Sequence, residues 1–198
     1  WLLRGKSAPF RLRPCISKVL ERIISNRLWW FVTSRQLLNN YQFGFKRDKS
    51  TIDALVYLDY HVANVLSLRK HVAIVSLDFM QAFDRIGMHS VLEQLVQWQV
   101  GPKIINYIFN FMTKRKIIVR IGYQHSSTFP LNNGIPQGSP LSVILFLIAF
   151  NKLYGIISIN KDISLSAYAD DLNLIIRSDN KNPVLLLNNL FDNLQNWC

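Results

Sequence analysis

From Ile16 onward, apolar residues at Ile16, Val19, Leu20, Ile23, Ile24 and Leu28 recur at helical spacing, which predicts a helix ending by a polar turn around Asn39–Asn40. Tyr41–Lys49 is short and mixed and reads as an aromatic, basic loop. Ser50 with Asp53 three residues on is a capping pair, so a second helix is expected to run towards Leu68. The pattern then changes. His71–Leu77 is short and β-branched, which predicts a buried strand ending at Asp78. Met88–Val100 returns to helical spacing and stops at Gly101–Pro102, and a further helix reaches about Met112.

Lys116–Gly122 and Ser127–Leu131 form a hairpin-like pair around a polar turn. Ser139–Pro140 has the form of an N-cap followed by proline at the first helical position, so the apolar run Leu141–Ile157 is expected to be a buried helix. Ile163–Tyr168 and Leu172–Ile176 are two short strands separated by Ala169-Asp170-Asp171. In the tail, Leu185, Leu186, Leu190 and Leu194 return to helical spacing. The expectation is an α+β chain with mostly antiparallel strands. No repeat or Gly/Ser linker marks a hinge between independent domains.

Charge adds the first chemical information. The 198 residues carry 23 Lys and Arg against 12 Asp and Glu, a net charge of +11. Residues 1–50 hold 11 basic and 2 acidic side chains, and residues 101–150 hold 5 basic and no acidic ones. The two remaining stretches lean slightly acidic. A basic surface with a separate acidic spot suits a polyanion partner. At 49% hydrophobic the chain has enough apolar side chain for a core. Its longest strongly apolar run, Val143–Phe150, is far short of the roughly 20 residues of a membrane span. Cys15 and Cys198, near opposite ends, suggest no disulfide framework, and an intracellular address is expected.

Three segments concentrate the chemistry. In Tyr168-Ala169-Asp170-Asp171 two adjacent carboxylates sit at a hairpin turn between apolar strands. For an isolated Asp-Asp pair a solvated turn is the simpler reading. Asp78 alters that balance, because it also ends a predicted strand. If that strand pairs with Ser164–Tyr168 in one sheet, Asp78 and Asp170 emerge side by side, and three carboxylates can hold two Mg²⁺ ions through hard oxygen ligands. Such a site deprotonates a sugar 3′-hydroxyl and stabilises a pyrophosphate leaving group. Asp84, six residues on, is expected to cap the following helix instead. The third segment is Gly134-Ile135-Pro136-Gln137-Gly138-Ser139-Pro140. Its glycines permit close backbone approach, and the Gln137 amide offers both donor and acceptor.

Asp78–Asp84, Gly134–Ser142 and Tyr168–Asp171 resemble, in order, the three palm motifs of reverse transcriptases. Gln42-Phe43-Gly44-Phe45, followed by Ser50-Thr51 and Ala54-Leu55, is similar to the fingers motif of the non-LTR (LINE-like, jockey/I-type) retrotransposon branch, as is Ile16-Ser17-Lys18-Val19-Leu20-Glu21. That fingers motif distinguishes this branch from group II intron or telomerase-type enzymes. The resemblance covers about residues 8–198 and implies a right-hand polymerase fold, with fingers at 1–70 and 101–135 and an antiparallel palm with packed helices at 71–100 and 136–198. It implies an RNA-directed DNA polymerase that transfers nucleotides from dNTPs to a primer 3′-hydroxyl on two Mg²⁺ ions, with Mn²⁺ as a substitute. The partners it implies are an RNA template and a DNA primer.

Residue by residue, Asp78, Asp170 and Asp171 match the metal-binding carboxylates, and the Phe79 backbone lies at the same site. Phe83 matches the bulky gate that clashes with a ribose 2′-hydroxyl. Gln137 and Gly138 match the loop that supports the incoming nucleotide, and Lys46 and Arg47 the basic segment facing its triphosphate. Two departures accompany the match. Ala8 stands before Pro9 where the family usually has Arg. The chain also stops at Asn196-Trp197-Cys198, where the family continues into another palm motif and the thumb. The expectation is therefore fingers plus palm, thumb absent, from a longer polyprotein with an endonuclease that works in the nucleus. The alternative is a catalytically dead remnant that only binds nucleic acid.

Overall fold

The computed structural model describes residues 15–131, 133–157, 162–178 and Asn188. The chain opens with helices α1 (Cys15–Ser34) and α2 (Thr51–Ser67), then strand β1 (His71–Asp78). Three helices follow: α3 (Ala82–Arg85), α4 (Met88–Gln97) and α5 (Pro102–Thr113). Four short strands come next, β2 (Arg115–Ile117), β3 (Arg120–Ile121), β4 (Gln124–His125) and β5 (Phe129–Leu131). Helix α6 (Ser142–Ile156) leads into strands β6 (Ile163–Tyr168) and β7 (Asp171–Ser178). The helical spacing of the tail from Val184 lies outside the described residues.

Local signals place most of these elements. The capping box of α2 is complete: the Asp53 amide donates to Ser50 Oγ (3.2 Å) and the Ser50 amide to Asp53 Oδ2 (2.7 Å). Pro102 stands in the first turn of α5, where a missing N–H costs nothing. Helix α6 is apolar almost all round, as a buried helix should be, and Ile144 to Phe150 are all buried. It starts later than its N-cap signal indicates. Pro140 and Leu141 form a turn, and Ser139 Oγ accepts from the Leu141 amide at 3.1 Å instead of capping the helix. Asp84 is no cap either. It lies inside α3, and α4 is preceded by Gly87 with no side-chain cap.

Contacts divide the chain into two compact units, each assembled from separated stretches, so no linker composition marks the boundary. One takes residues 15–35 and 81–149 of the described chain. Here α4 packs on α5 through buried Val91, Leu95, Ile108 and Met112. The expected hairpin is present but split into two antiparallel ladders, β2–β5 and β3–β4.

The other unit takes residues 36–80 and those from 150 on. Its centre is an antiparallel sheet of order β1-β7-β6, against which α2 packs. The expected neighbour of β1 was β6; β7 lies between them. Among the described strands β1 pairs on one side alone and has no buried residue, whereas Leu172, Leu174, Ile175 and Ile176 of central β7 are buried. Beside β6 runs the segment Tyr41–Phe43. The Phe43 amide donates to the Ala167 carbonyl and the Ala167 amide to the Tyr41 carbonyl, both at 2.8 Å. Among the described residues no helix is long and apolar enough to cross a membrane.

Candidate active site

Strand pairing assembles the acidic end of the sheet. Asp171 is opposite Asp78 on one side and Tyr168 on the other, with Ala169-Asp170 making the two-residue connection from β6 to β7. Paired residues point to the same face, and alternation sends Leu77, Leu172 and Ala167 to the opposite one, where Leu172 and Ala167 are buried. On the acidic face two residues back, Ser76 Oγ donates to Asn173 Oδ1 at 2.6 Å. Asp78 and Asp171 are exposed and Asp170 half-buried.

Like charges directly opposite each other destabilise a sheet. Among the described residues, none of the three carboxylates has a hydrogen bond or ion pair to offset this. Register thus faces Asp78 with Asp171, not with Asp170 as expected. Their side chains do not gather into a group of three metal-ligating residues. The donor set nevertheless fits a hard divalent cation: oxygen ligands only, on the neighbouring ends of β1 and β7 and on the turn from β6 to β7. Phe79, next to Asp78, packs edge-on against Phe150 at 5.1 Å.

The turn itself is under backbone tension. Ala169 has φ 58°, a left-handed conformation that costs an L-residue about 1–2 kcal/mol. Buried Gln42 holds it from both sides: Oε1 accepts from the Ala169 amide and Nε2 donates to the Ala169 carbonyl, each at 3.0 Å. Gly44 lies so close that a Cβ there would sit 2.2 Å from the Ala169 nitrogen. No local pattern in the sequence marks this bracing. The Gln42–Phe45 motif was visible, but not what its amide touches.

Further along that loop the two basic candidates part company. Lys46 is half-buried and donates to the Asn39 carbonyl at 2.7 Å. Burial holds its ammonium below the ordinary value; Asp48 opposes that shift and Lys49 adds to it. Arg47 is exposed and has no hydrogen bond or ion pair among the described residues.

The remaining candidates belong to the first unit. Gly134, at φ 80°, lies against the Asp84 backbone, and the amides of Gly134 and Ile135 donate to the carbonyls of Ile86 (3.1 Å) and Phe83 (2.7 Å). These bonds bring Phe83 to the Gln137 loop. Buried Arg115 secures the loop entry, donating to the carbonyls of Met112, Asn133 and Gly134 at 2.6–2.9 Å. At the exit, Ser139 Oγ donates to buried Glu21 of α1 (2.5 Å), Ser25 Oγ to the Pro140 carbonyl (3.0 Å), and Ser142 to the Pro136 carbonyl. Phe83, Gln137 and Gly138 then line one pocket of about 540 Å³, with Arg22 at its wall. The Phe83 ring stacks on Phe146 with centroids 4.5 Å apart. No local pattern in the sequence marks the parts Arg22 and Arg115 play here. The α1 motif contains Glu21, but its role depends on a residue 118 positions away.

Residues 5–198 match the family described as Reverse transcriptase (RNA-dependent DNA polymerase). The chain is 28% identical over 196 residues to a probable RNA-directed DNA polymerase from transposon BS of Drosophila melanogaster, covering 96% of this chain and 21% of the relative. It is 26% identical over 174 residues to the RNA-directed DNA polymerase of the mobile element jockey of Drosophila melanogaster, covering 86% of this chain and 19% of that one. The chain thus spans about a fifth of the length of these relatives. Among solved structures, apo telomerase from Candida tropicalis, truncated from its C-terminal domain, superposes with a TM-score of 0.65 at 15% identity, over 87% of this chain and 36% of that one. That likeness shows the fold: the fingers and palm of a right-hand polymerase.

Proposed function

Because the chain belongs to the reverse transcriptase (RNA-dependent DNA polymerase) family, we propose that it supplies the fingers and palm of an RNA-directed DNA polymerase of a non-LTR retrotransposon. The observation that carries this reading is the end of the sheet, where register sets Asp78 opposite Asp171, Asp170 lies in the adjoining turn, and none of the three has a side-chain partner among the described residues. In the proposed reaction the primer 3′-oxygen bonds to the α-phosphorus of a dNTP, the α–β phosphoanhydride breaks and pyrophosphate leaves. Asp78, Asp170, Asp171 and the Phe79 carbonyl would hold two Mg²⁺ ions, which Mn²⁺ can replace. Those ions, when bound, supply the charge that acidifies the primer hydroxyl and stabilises the leaving group. We assign the fingers to 1–70 and 101–135 and the palm to 71–100 and 136–198. An RNA template, a DNA primer, a longer polyprotein with endonuclease and thumb, and action in the nucleus complete the proposal.

Mg²⁺-dependent extension of a DNA primer on an RNA template tests it directly, with dNTPs or rNTPs as substrate. A second reading, nucleic-acid binding without turnover, is favoured by the failure of the three carboxylates to gather into one ligand group. Binding of a primer–template without extension would select that reading.

Two substitutions sort the nucleotide contacts. Arg47, exposed and with no ion pair among the described residues, is the cation assigned to the triphosphate, because Lys46 already serves the Asn39 carbonyl. Arg47→Ala should raise the KM for dNTP about tenfold, since a charge-assisted hydrogen bond is worth about 1.5–3 kcal/mol. Lys46→Ala should lower Tm while KM stays nearly constant; the reverse pattern assigns the contact to Lys46. Phe83 is assigned as the gate against the ribose 2′-hydroxyl. Phe83→Val should narrow the preference for dNTP over rNTP by about 10- to 100-fold, the discrimination that one lost apolar clash supports. An unchanged ratio in competitive incorporation removes Phe83 from that role.

A further inference from the structure

Gln42 is buried, with 2% of its surface exposed, and every polar atom of its amide is used. Oε1 accepts from the amides of Gly44 (2.8 Å) and Ala169 (3.0 Å), and Nε2 donates to the Ala169 carbonyl and the Tyr154 hydroxyl oxygen (both 3.0 Å). A primary amide carries its donor and acceptor on separate atoms, so one side chain can accept from a backbone N–H and donate to the carbonyl of the same residue. A carboxylate lacks the donor, and an apolar residue of equal length lacks both.

The clamped residue is the one that matters for direction. Ala169 is left-handed, and the next residue is Asp170. A rotation about the Ala169 backbone would swing Asp170 and change how Asp171 enters β7 opposite Asp78. Gly44 packs its bare Cα against the same turn, so the loop seats closely enough for the amide to reach.

We propose that Gln42 is a positioning residue of the metal site: by locking both polar groups of Ala169, its amide sets the direction in which Asp170 leaves the turn. The inference rests on the metal-site reading above. It extends the first turn of the basic loop from a nucleotide-facing segment to a support of the catalytic carboxylates, so the loop that carries Arg47 also holds the turn that carries Asp170. Substitution of partners that orient metal ligands characteristically weakens metal binding about 10- to 100-fold.

The test is Mn²⁺ binding to the whole chain, read from loss of the free-ion electron paramagnetic resonance signal, with thermal unfolding measured alongside. The variants are Gln42→Met, which fills the volume without polar atoms, Gln42→Ala, Tyr154→Phe and Asp170→Asn. Gln42→Met and Gln42→Ala should each weaken Mn²⁺ binding about 10- to 100-fold. Tyr154→Phe removes one bond from the Gln42 amide but leaves both bonds to Ala169. It should lower Tm with little change in Mn²⁺ affinity, which separates positioning from general support of the core. Should Gln42→Ala fail to fold, Gln42→Met carries the comparison.

Unchanged Mn²⁺ affinity in folded Gln42→Met, with the site lost in Asp170→Asn, overturns the role of Gln42 and leaves the metal site standing. Equal weakening by Gln42→Met and Tyr154→Phe also overturns it, because the effect is then one of stability. A chain with no Mn²⁺ site that Asp170→Asn removes overturns the metal-site reading, and this inference with it.

Discussion

Replacing Asp170 with Asn is expected to reduce RNA-templated primer extension to background, a loss of more than about 100-fold, the upper range seen when even a supporting partner of a metal ligand is removed. The substitution keeps the size and shape of the side chain and removes only its charge. Among the described residues that charge has no hydrogen bond or ion pair to lose. Folding should therefore be preserved, and without metal the acidic end carries one fewer mutually repelling group. Extension assays on the wild-type and variant chains, each checked by circular dichroism, decide the matter. Retained extension, or a chain that no longer folds, would remove Asp170 from the metal site. An inactive wild type would instead favour the binding-only reading.

The largest expected effect on folding comes from a single methyl group. Gly44→Ala would place a Cβ 2.2 Å from the Ala169 nitrogen, 2.9 Å from its Cα and 3.0 Å from the Tyr168 carbonyl carbon. All three are backbone atoms of the hairpin, so no side chain can rotate away. The loop must lift from β6, giving up the Phe43–Ala167 and Ala167–Tyr41 backbone bonds together with the Gln42 clamp. Overpacking of this kind costs typically 1–3 kcal/mol, and the upper end is expected here. For a chain of this length about 3 kcal/mol lowers Tm by roughly 6–12 °C. Metal-dependent extension should fall as well, since the turn carrying Asp170 loses its brace. A Tm within a degree of the wild type would show that the loop is not seated against Ala169 in solution.

Much of the fold is legible in local pattern because helices and strands are local periodicities. Ser50 and Asp53 announced α2, Gly101–Pro102 separated α4 from α5, and the apolar run after Leu141 marked α6. Errors appear where a local signal competes with a distant partner. Ser139–Pro140 has the composition of a helix start, but the Ser139 hydroxyl donates to Glu21 and its turn continues for two more residues. β1 has the apolar composition of a buried strand, yet among the described strands it lies at the edge of the sheet, because β7 returns between β1 and β6. Asp84 has the chemistry of a cap, but the close approach of Gly134 belongs to a short helix the pattern did not show.

The candidate site divides in the same way. Asp78, Asp170, Asp171, Phe83 and Gln137 could be named from motif order, because those motifs are contiguous in the chain. Their arrangement could not. That Asp78 faces Asp171 follows from antiparallel register, which is set by the pairing of whole strands 93 residues apart in sequence at that point. The supports within each unit are longer-range still: Gln42 reaches Ala169 across 127 positions in one, and Glu21 reaches Ser139 across 118 in the other. Sequence by itself determined the types of the longer elements, the charge blocks and the identity of the reactive groups, because each depends on residues within a few positions of one another. Only the tertiary structure decided which strand lies in the centre of the sheet, which cation remains free and which amide holds the acidic turn, because hydrogen bonds and burial are satisfied in space and leave no period along the chain.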